Sequence, residues 1–417
     1  MASGSQGDDD APDDEPSGPD DPQVPGLPDF GIPGFDLSGI DLSQLMGMLQ
    51  STGPLNWEVA SQLAAVVATE GQDEPSVDPA ARTELEELAR AAQTHVVAET
   101  GLAATFAAQV RAMDRREWTA LHLDALRPVL EALATRLGSA FTTDELTIET
   151  EPGVPTDEIA GLLPLLAPLL LGVQAGSMVG YLAQHALGRY DLPLPTADAP
   201  SLGFVVRNLD TFEEAWSLDR TDLRFYVAIH EVVHAAERSV PWVKQRLLDL
   251  ATEYVSAYDV DPTILQVRLG DVDPADPTSI QQLAEHPDEL LGAMQSDRQR
   301  EVLDRLRVFH AVLDGYADVI LERVGGKLIP SFAQIHEAMA RHRIERGEAE
   351  RFVEGLLGLA VGREDYERGA AFCAGVVERA GAEGLNRLWE REAMAPTPNE
   401  IDAPGLWLAR IDLDLDD

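Results

Sequence analysis

Apolar residues recur at helical spacing along most of this chain, and only one short, β-branched stretch reads as a strand. "NWEVASQLAAVVATE" has the 3.6-residue period, with Gly53 and Pro54 before it and Asn56 placed as an N-cap. "DPAARTELEELARAAQTHVVAETG" predicts a long helix with Pro79 in its first turn and Gly101 at its end. The period continues from Asp114 to Leu137, and "DLSGIDLSQLMGMLQS" is amphipathic in the same way. "LGFVV", Leu202 to Val206, is the best strand candidate, bounded by turn residues. "NLDTFEEAWSL" follows as a short helix. Asp219, Thr221 or Asp222 then caps the helix containing "FYVAIHEVVHAAERS", and Pro241 opens the next one. From about Ser279 the pattern is again helical. It predicts a mainly α fold with little strand.

From Ala160 to Gly188 there is no charged residue, a length that suffices for a bilayer span. Pro164 and Pro168 are expected to break its first half, while Gln174, Gln184 and His185 load the second with polar groups. Gly172, Gly176 and Gly180 recur every fourth residue, which permits close helix pairing in water or in lipid. No Lys or Arg cluster flanks the run. The expectation is a buried core helix, with membrane association as the lesser alternative.

Composition narrows the partners. The 417 residues carry 31 basic and 73 acidic side chains, a formal charge of -42 that repels nucleic acid and anionic membrane. Residues 1–36 are rich in Asp, Pro, Gly and Ser and are expected to be a disordered acidic tail, with 37–417 as a single domain. No basic n-region or apolar h-region opens the chain, and Cys373 is its one cysteine, expected in the core. An intramolecular disulfide and a cysteine-based zinc cluster are excluded, and the expected location is the cytoplasm.

The candidate chemistry lies in "IHEVVHAAE". On a helix, His230 and His234 share one face and can both reach one Zn²⁺ at about 2.0–2.1 Å. Glu231, offset by one residue, stands where a general base takes a proton from a water that the zinc acidifies. By chance this pattern arises in roughly one or two such chains per hundred. The metzincin continuation is excluded, because Glu237 and Val240 occupy its Gly and last His positions. The third ligand is sought in "FHAVLDGYADVILERVGG", where Asp314 and Asp318 share one face of an apolar helix. In the gluzincin arrangement one carboxylate ligates zinc and another, a turn later, orients the first histidine. Asp314 is preferred as ligand, Asp318 as the orienting group or alternative ligand, and Glu322 comes third. Gly315 and Ala317 would let the two helices approach. Tyr316 is a possible oxyanion or substrate contact, and His310 either approaches the metal or packs in the core. His336 and His342 are expected at the surface, and Trp57, Trp242 and Trp389 as packing anchors. Leu202 to Val206 is placed to pair with an extended peptide.

The blocks "GPLNWEVASQLA", "GVQAGSMVGYLAQHALGRYDLPLP", "IHEVVHAAERSVPWV", "LDGYADVILERVG" and "LLGLAVGREDYERGAAFCAGVVERAG" resemble a largely actinobacterial family. It comprises zincin-like candidate hydrolases and zinc-dependent metalloproteases, one branch being associated with deazaflavin-coenzyme biosynthesis. The resemblance runs from about Gly53 to Ala409 and implies a mainly helical zincin-like fold. It places zinc at His230 and His234, with Glu231 catalytic. Leu313-Asp314-Gly315-Tyr316 departs from the Leu-Glu-Gly-His of many members at two positions. The reading is a zinc-dependent hydrolase, foremost a metallopeptidase, acting on a peptide or small amide. The alternative is a zinc-bearing interaction or regulatory protein of the same fold.

Overall fold

Thirteen consecutive residues, Tyr226 to Arg238, are buried without interruption, so the helix that carries them is surrounded by protein on every side. The computed structural model describes residues 53–102, 110–140, 156–195, 200–259, 295–345, 348–359 and 361–413. All of these fall within one unit, Asp41–Asp417. The expected acidic tail and the amphipathic segment beginning at Leu37 lie outside the described residues.

In chain order the elements are α1 (Trp57–Ala68), α2 (Pro79–Thr100), β1 (Val110–Met113), α3 (Arg115–Ala140), α4 (Thr156–His185) and β2 (Leu202–Val205). They continue with α5 (Val206–Trp216), α6 (Arg220–Ser239), α7 (Pro241–Ser256), α8 (Asp297–Leu328) and α9 (Phe332–Ile344). The last three are α10 (Glu348–Leu357), α11 (Arg363–Asn386) and α12 (Pro404–Leu413). The starts follow from local chemistry. Asn56 caps α1 by accepting the Val59 N–H at 3.1 Å, and Asp219 caps α6 through the Asp222 N–H at 3.0 Å. Gly101 ends α2 in the left-handed conformation, with φ 67°.

The strands form a parallel pair in which Val110 faces Leu202 and Met113 faces Val205. β1 has no counterpart in the hydrophobic pattern, because "VRAM" is neither alternating nor rich in β-branched residues, and it is a strand through its partner. The other edge of β2 is also taken. Arg189 N–H donates to Gly203 O, Val205 N–H donates to Leu187 O, and Gly188 bridges Phe204. The expected docking of an extended peptide on this strand therefore finds no free edge.

The uncharged run is α4, and it lies along α1. A Cβ added at Gly172 would stand 2.5 Å from Asn56 O, and one at Gly176 would stand 2.5 Å from Ala60 O. The glycine spacing thus serves an intramolecular helix contact. Among the described residues no helix is long and apolar enough to cross a membrane. The two prolines do not break the helix, which runs unbroken through Pro164 and Pro168. On α4, Pro168 O accepts the Asn56 N–H at 2.8 Å, a bond that ties it to the start of α1.

α6 packs against α2, α7, α8 and α9, and α8 packs against α11. Gly315 serves this second contact, facing Gly369 of α11 rather than α6; a Cβ there would stand 2.4 Å from the Gly369 carbonyl. Cys373, also on α11, is buried in the core with Sγ directed at Val312 O.

Candidate metal centre

His230 and His234 lie a turn apart on α6, 4% and 2% exposed, with ring centroids 4.4 Å apart and planes inclined by 73°. Facing them, α8 presents His310 and Asp314 at the same four-residue spacing. All four line one cavity of about 10 Å³, room for a single water-sized sphere. Tyr190, Arg238, Arg343 and Tyr366 contribute to its wall. Burial pushes His230 and His310 down to about 3, and burial together with the neighbouring His230 holds His234 well below its ordinary value. The three imidazoles are therefore neutral at ordinary pH, the form that ligates metals.

His234 Nδ1 pairs with Glu237 Oε2 at 2.7 Å, and both side chains are buried. Burial raises Glu237 well above the usual carboxylate range, while Arg238, 3.7 Å away, works against that rise. With Glu237 ionised, Nδ1 carries the proton and the Nε2 lone pair faces the cavity. That Nε2 is buried with no hydrogen-bond partner and stands 3.7 Å from Asp314 Oδ1. His310 Nε2 is buried and unpartnered as well.

These residues suit a zinc ion. Neutral imidazoles and a carboxylate are its common donors. Two buried imidazole nitrogens without partners are groups that an ion would satisfy. Tetrahedral ligands at 2.0–2.1 Å stand about 3.3 Å from one another, and the His234–Asp314 pair is at 3.7 Å. As the side chains stand, no group of three His, Cys, Asp or Glu among the described residues closes to coordination distances.

Glu231 lies behind this cavity. Its Oε1 accepts the Tyr190 N–H at 2.8 Å and its Oε2 faces the Gly203 N–H at 3.5 Å. A Cβ at Gly188 would stand 2.4 Å from Oε1, so the glycine leaves room for the carboxylate. Burial pushes this carboxyl up to about 8, although the backbone donors oppose the rise. Trp118, whose Nε1–H donates to Gly188 O at 2.9 Å, holds the same turn from the other side.

The remaining predicted residues are dispersed. Asp318 Oδ1 accepts from both Nη atoms of Arg343 at 3.1 Å. It neutralises an arginine that lines the cavity and makes no hydrogen bond to His230 or His234. Tyr316 points elsewhere: its OH donates to Asn386 Oδ1 at 2.8 Å and its ring meets Trp389 edge-on. His336 and His342 are half-buried rather than at the surface, paired with Tyr226 OH at 2.9 Å and Asp191 Oδ2 at 3.0 Å. The expected packing roles of the tryptophans fit Trp242, whose Nε1–H donates to Trp389 O. Glu237, Tyr190, Arg238 and Arg343 join the site beyond the residues that the sequence predicts. For Glu237 the signal was present, three residues after His234 on the same helix face. For the others it was not.

A mainly helical fold with a buried His-Glu-x-x-His helix and a facing carboxylate defines a zincin-like protein. Residues 55–408 match the model of the zincin-like metallopeptidase family, and the chain belongs to that family. A crystal structure of a candidate hydrolase with a novel fold, from Chloroflexus aurantiacus, superposes with a TM-score of 0.56 at 27% identity. The match covers 86% of this chain and 99% of that one. No curated protein matches the sequence.

Proposed function

We propose that this chain is a zinc-dependent hydrolase, and more specifically a metallopeptidase acting on a peptide or small amide. The observation that carries the reading is the single-ion cavity into which His230, His234 and Asp314 project from two packed helices. Family membership and the hydrolase neighbour support the class. His230, His234 and Asp314 would hold the zinc, which when bound supplies Lewis-acid polarisation of a carbonyl and acidifies a water. Glu237 keeps His234 in the tautomer that offers Nε2. Glu231 takes the proton of the attacking water and passes it to the leaving amine. Its carboxyl, held near 8 by burial, exchanges a proton close to neutral pH. The Glu231→Gln variant is expected to keep its zinc and lose turnover; hydrolysis surviving in that variant rules the mechanism out.

A second reading is favoured by one feature of the site. The Glu231 carboxylate is bonded to backbone behind a cavity with room for one sphere. A zinc-bearing interaction or regulatory protein without turnover has this character. One equivalent of zinc with no cleavage across a broad peptide library selects this alternative.

A further inference from the structure

Two further metal-binding side chains line the cavity besides His230, His234 and Asp314. Asp191 is engaged elsewhere, its Oδ2 accepting the Leu187 N–H at 3.0 Å and pairing with His342 Nε2 at 3.0 Å; the other is His310. His310 is 1% exposed, lies one turn before Asp314 on α8, and lines the same wall as His230, His234 and Asp314. Its Nε2 is buried with no hydrogen-bond partner, as is the Nε2 of His234. A neutral imidazole gains nothing from burial in that state unless something else fills the space in front of it. The space enclosed among these side chains is about 10 Å³, the size of one water-sized sphere.

We propose that His310 is a fourth protein ligand, so that the resting metal site is closed by His230, His234, His310 and Asp314. This rests on the zinc reading above and deepens it. Four protein donors are the hallmark of a closed zinc site, whereas a hydrolytic one keeps a position open. One ligand must therefore leave before substrate or water can enter. His310 and Asp314 are the two that come from the second helix, and α8 is where the site would open. The closed arrangement also accounts for a hydrolase-type metal helix beside a cavity too small for a peptide. Substrate access and α8 movement become one event.

The test uses Co²⁺ as a spectroscopic probe in the full-length protein, with azide as an added anion. Wild type is expected to bind one Co²⁺ with an intense visible spectrum that neither azide nor pH between 6 and 9 alters. His310→Ala should bind Co²⁺ more weakly by at least about tenfold, since even outer partners of a ligand are worth about 10–100-fold. Its spectrum should become sensitive to azide, as a position opens. His310→Gln, which keeps a polar side chain of similar reach, guards against loss of fold, with circular dichroism of both apo variants as the control. An azide-sensitive wild-type spectrum overturns the closed site. So does either His310 variant with unaltered affinity and spectrum. Wild type that binds no metal at all instead overturns the zinc reading on which the inference stands.

Discussion

Glu237 and His234 are joined by a 2.7 Å contact between Oε2 and Nδ1 inside a fully buried stretch of α6. They lie three residues apart, so the helix itself sets their geometry and no other element is needed to bring them together. With Glu237 ionised, the pair fixes the ring so that Nε2 is available to an ion. Glu237→Gln should therefore weaken zinc affinity by about 10- to 100-fold with little change in apo-protein melting. Competition against a chromophoric chelator measures it, and unchanged affinity would show that the contact only packs the helix.

Glu231 depends on Gly188 for its place. In Gly188→Ala the new methyl group would meet Oε1 at 2.4 Å and displace the carboxylate from the Tyr190 N–H. Zinc content should stay at wild-type level while hydrolysis falls by at least about tenfold, as expected when a general base is misplaced. A variant with normal turnover would mean that this carboxylate position is not the active one.

The α1–α4 contact is built on absent side chains. Gly176→Ala places a Cβ 2.5 Å from Ala60 O, and overpacking of this kind costs about 1–3 kcal/mol. Gly138 in α3 has nothing within 4 Å of an added Cβ, so Gly138→Ala is expected to be neutral or slightly stabilising. Urea midpoints of the two variants should move in opposite directions or differ clearly. Equal midpoints would refute the close approach.

Acid should destabilise the metal-free protein through its buried histidines. In the unfolded chain these titrate near 6.5, whereas folding holds His122 down to about 4 and His230 and His310 down to about 3, chiefly by burial. Between those limits the unfolded state binds more protons, so stability rises with pH from about 4 to 6.5 and is lost on acidification. Glu231 and Glu237 have raised values and act in the opposite direction above 4.5, offsetting part of the slope. Unfolding free energies across this window should report net uptake of more than one proton. A flat profile would contradict the buried, neutral assignment.

Much of this arrangement was readable before any coordinates. Asn56 and Asp219 announced their helices because a cap acts through its own next few residues, and Pro241 did the same for α7. His230 and His234 were legible because helical periodicity alone places them together. What depends on distant partners was not legible. β1 is a strand only beside β2, and the pairing of Asp318 with Arg343, 25 residues on, has no local signal. Gly315 suggested a close approach to the metal helix, and the approach it provides is to α11. Glu237 is legible in the sequence, since its three-residue spacing from His234 places both on one helix face. The prolines of α4 mark a different limit: local rules disfavour a helix there, and α4 nonetheless runs through them alongside α1.

Metal stoichiometry tests the central claim most directly. Full-length protein purified in zinc-supplemented buffer, dialysed and analysed by elemental mass spectrometry should carry one zinc per chain. The His230→Ala/His234→Ala double variant should carry essentially none, and Asp314→Ala should lose far more than Asp318→Ala. A wild-type chain without zinc, or a double variant that retains it, would contradict a metal centre at this helix.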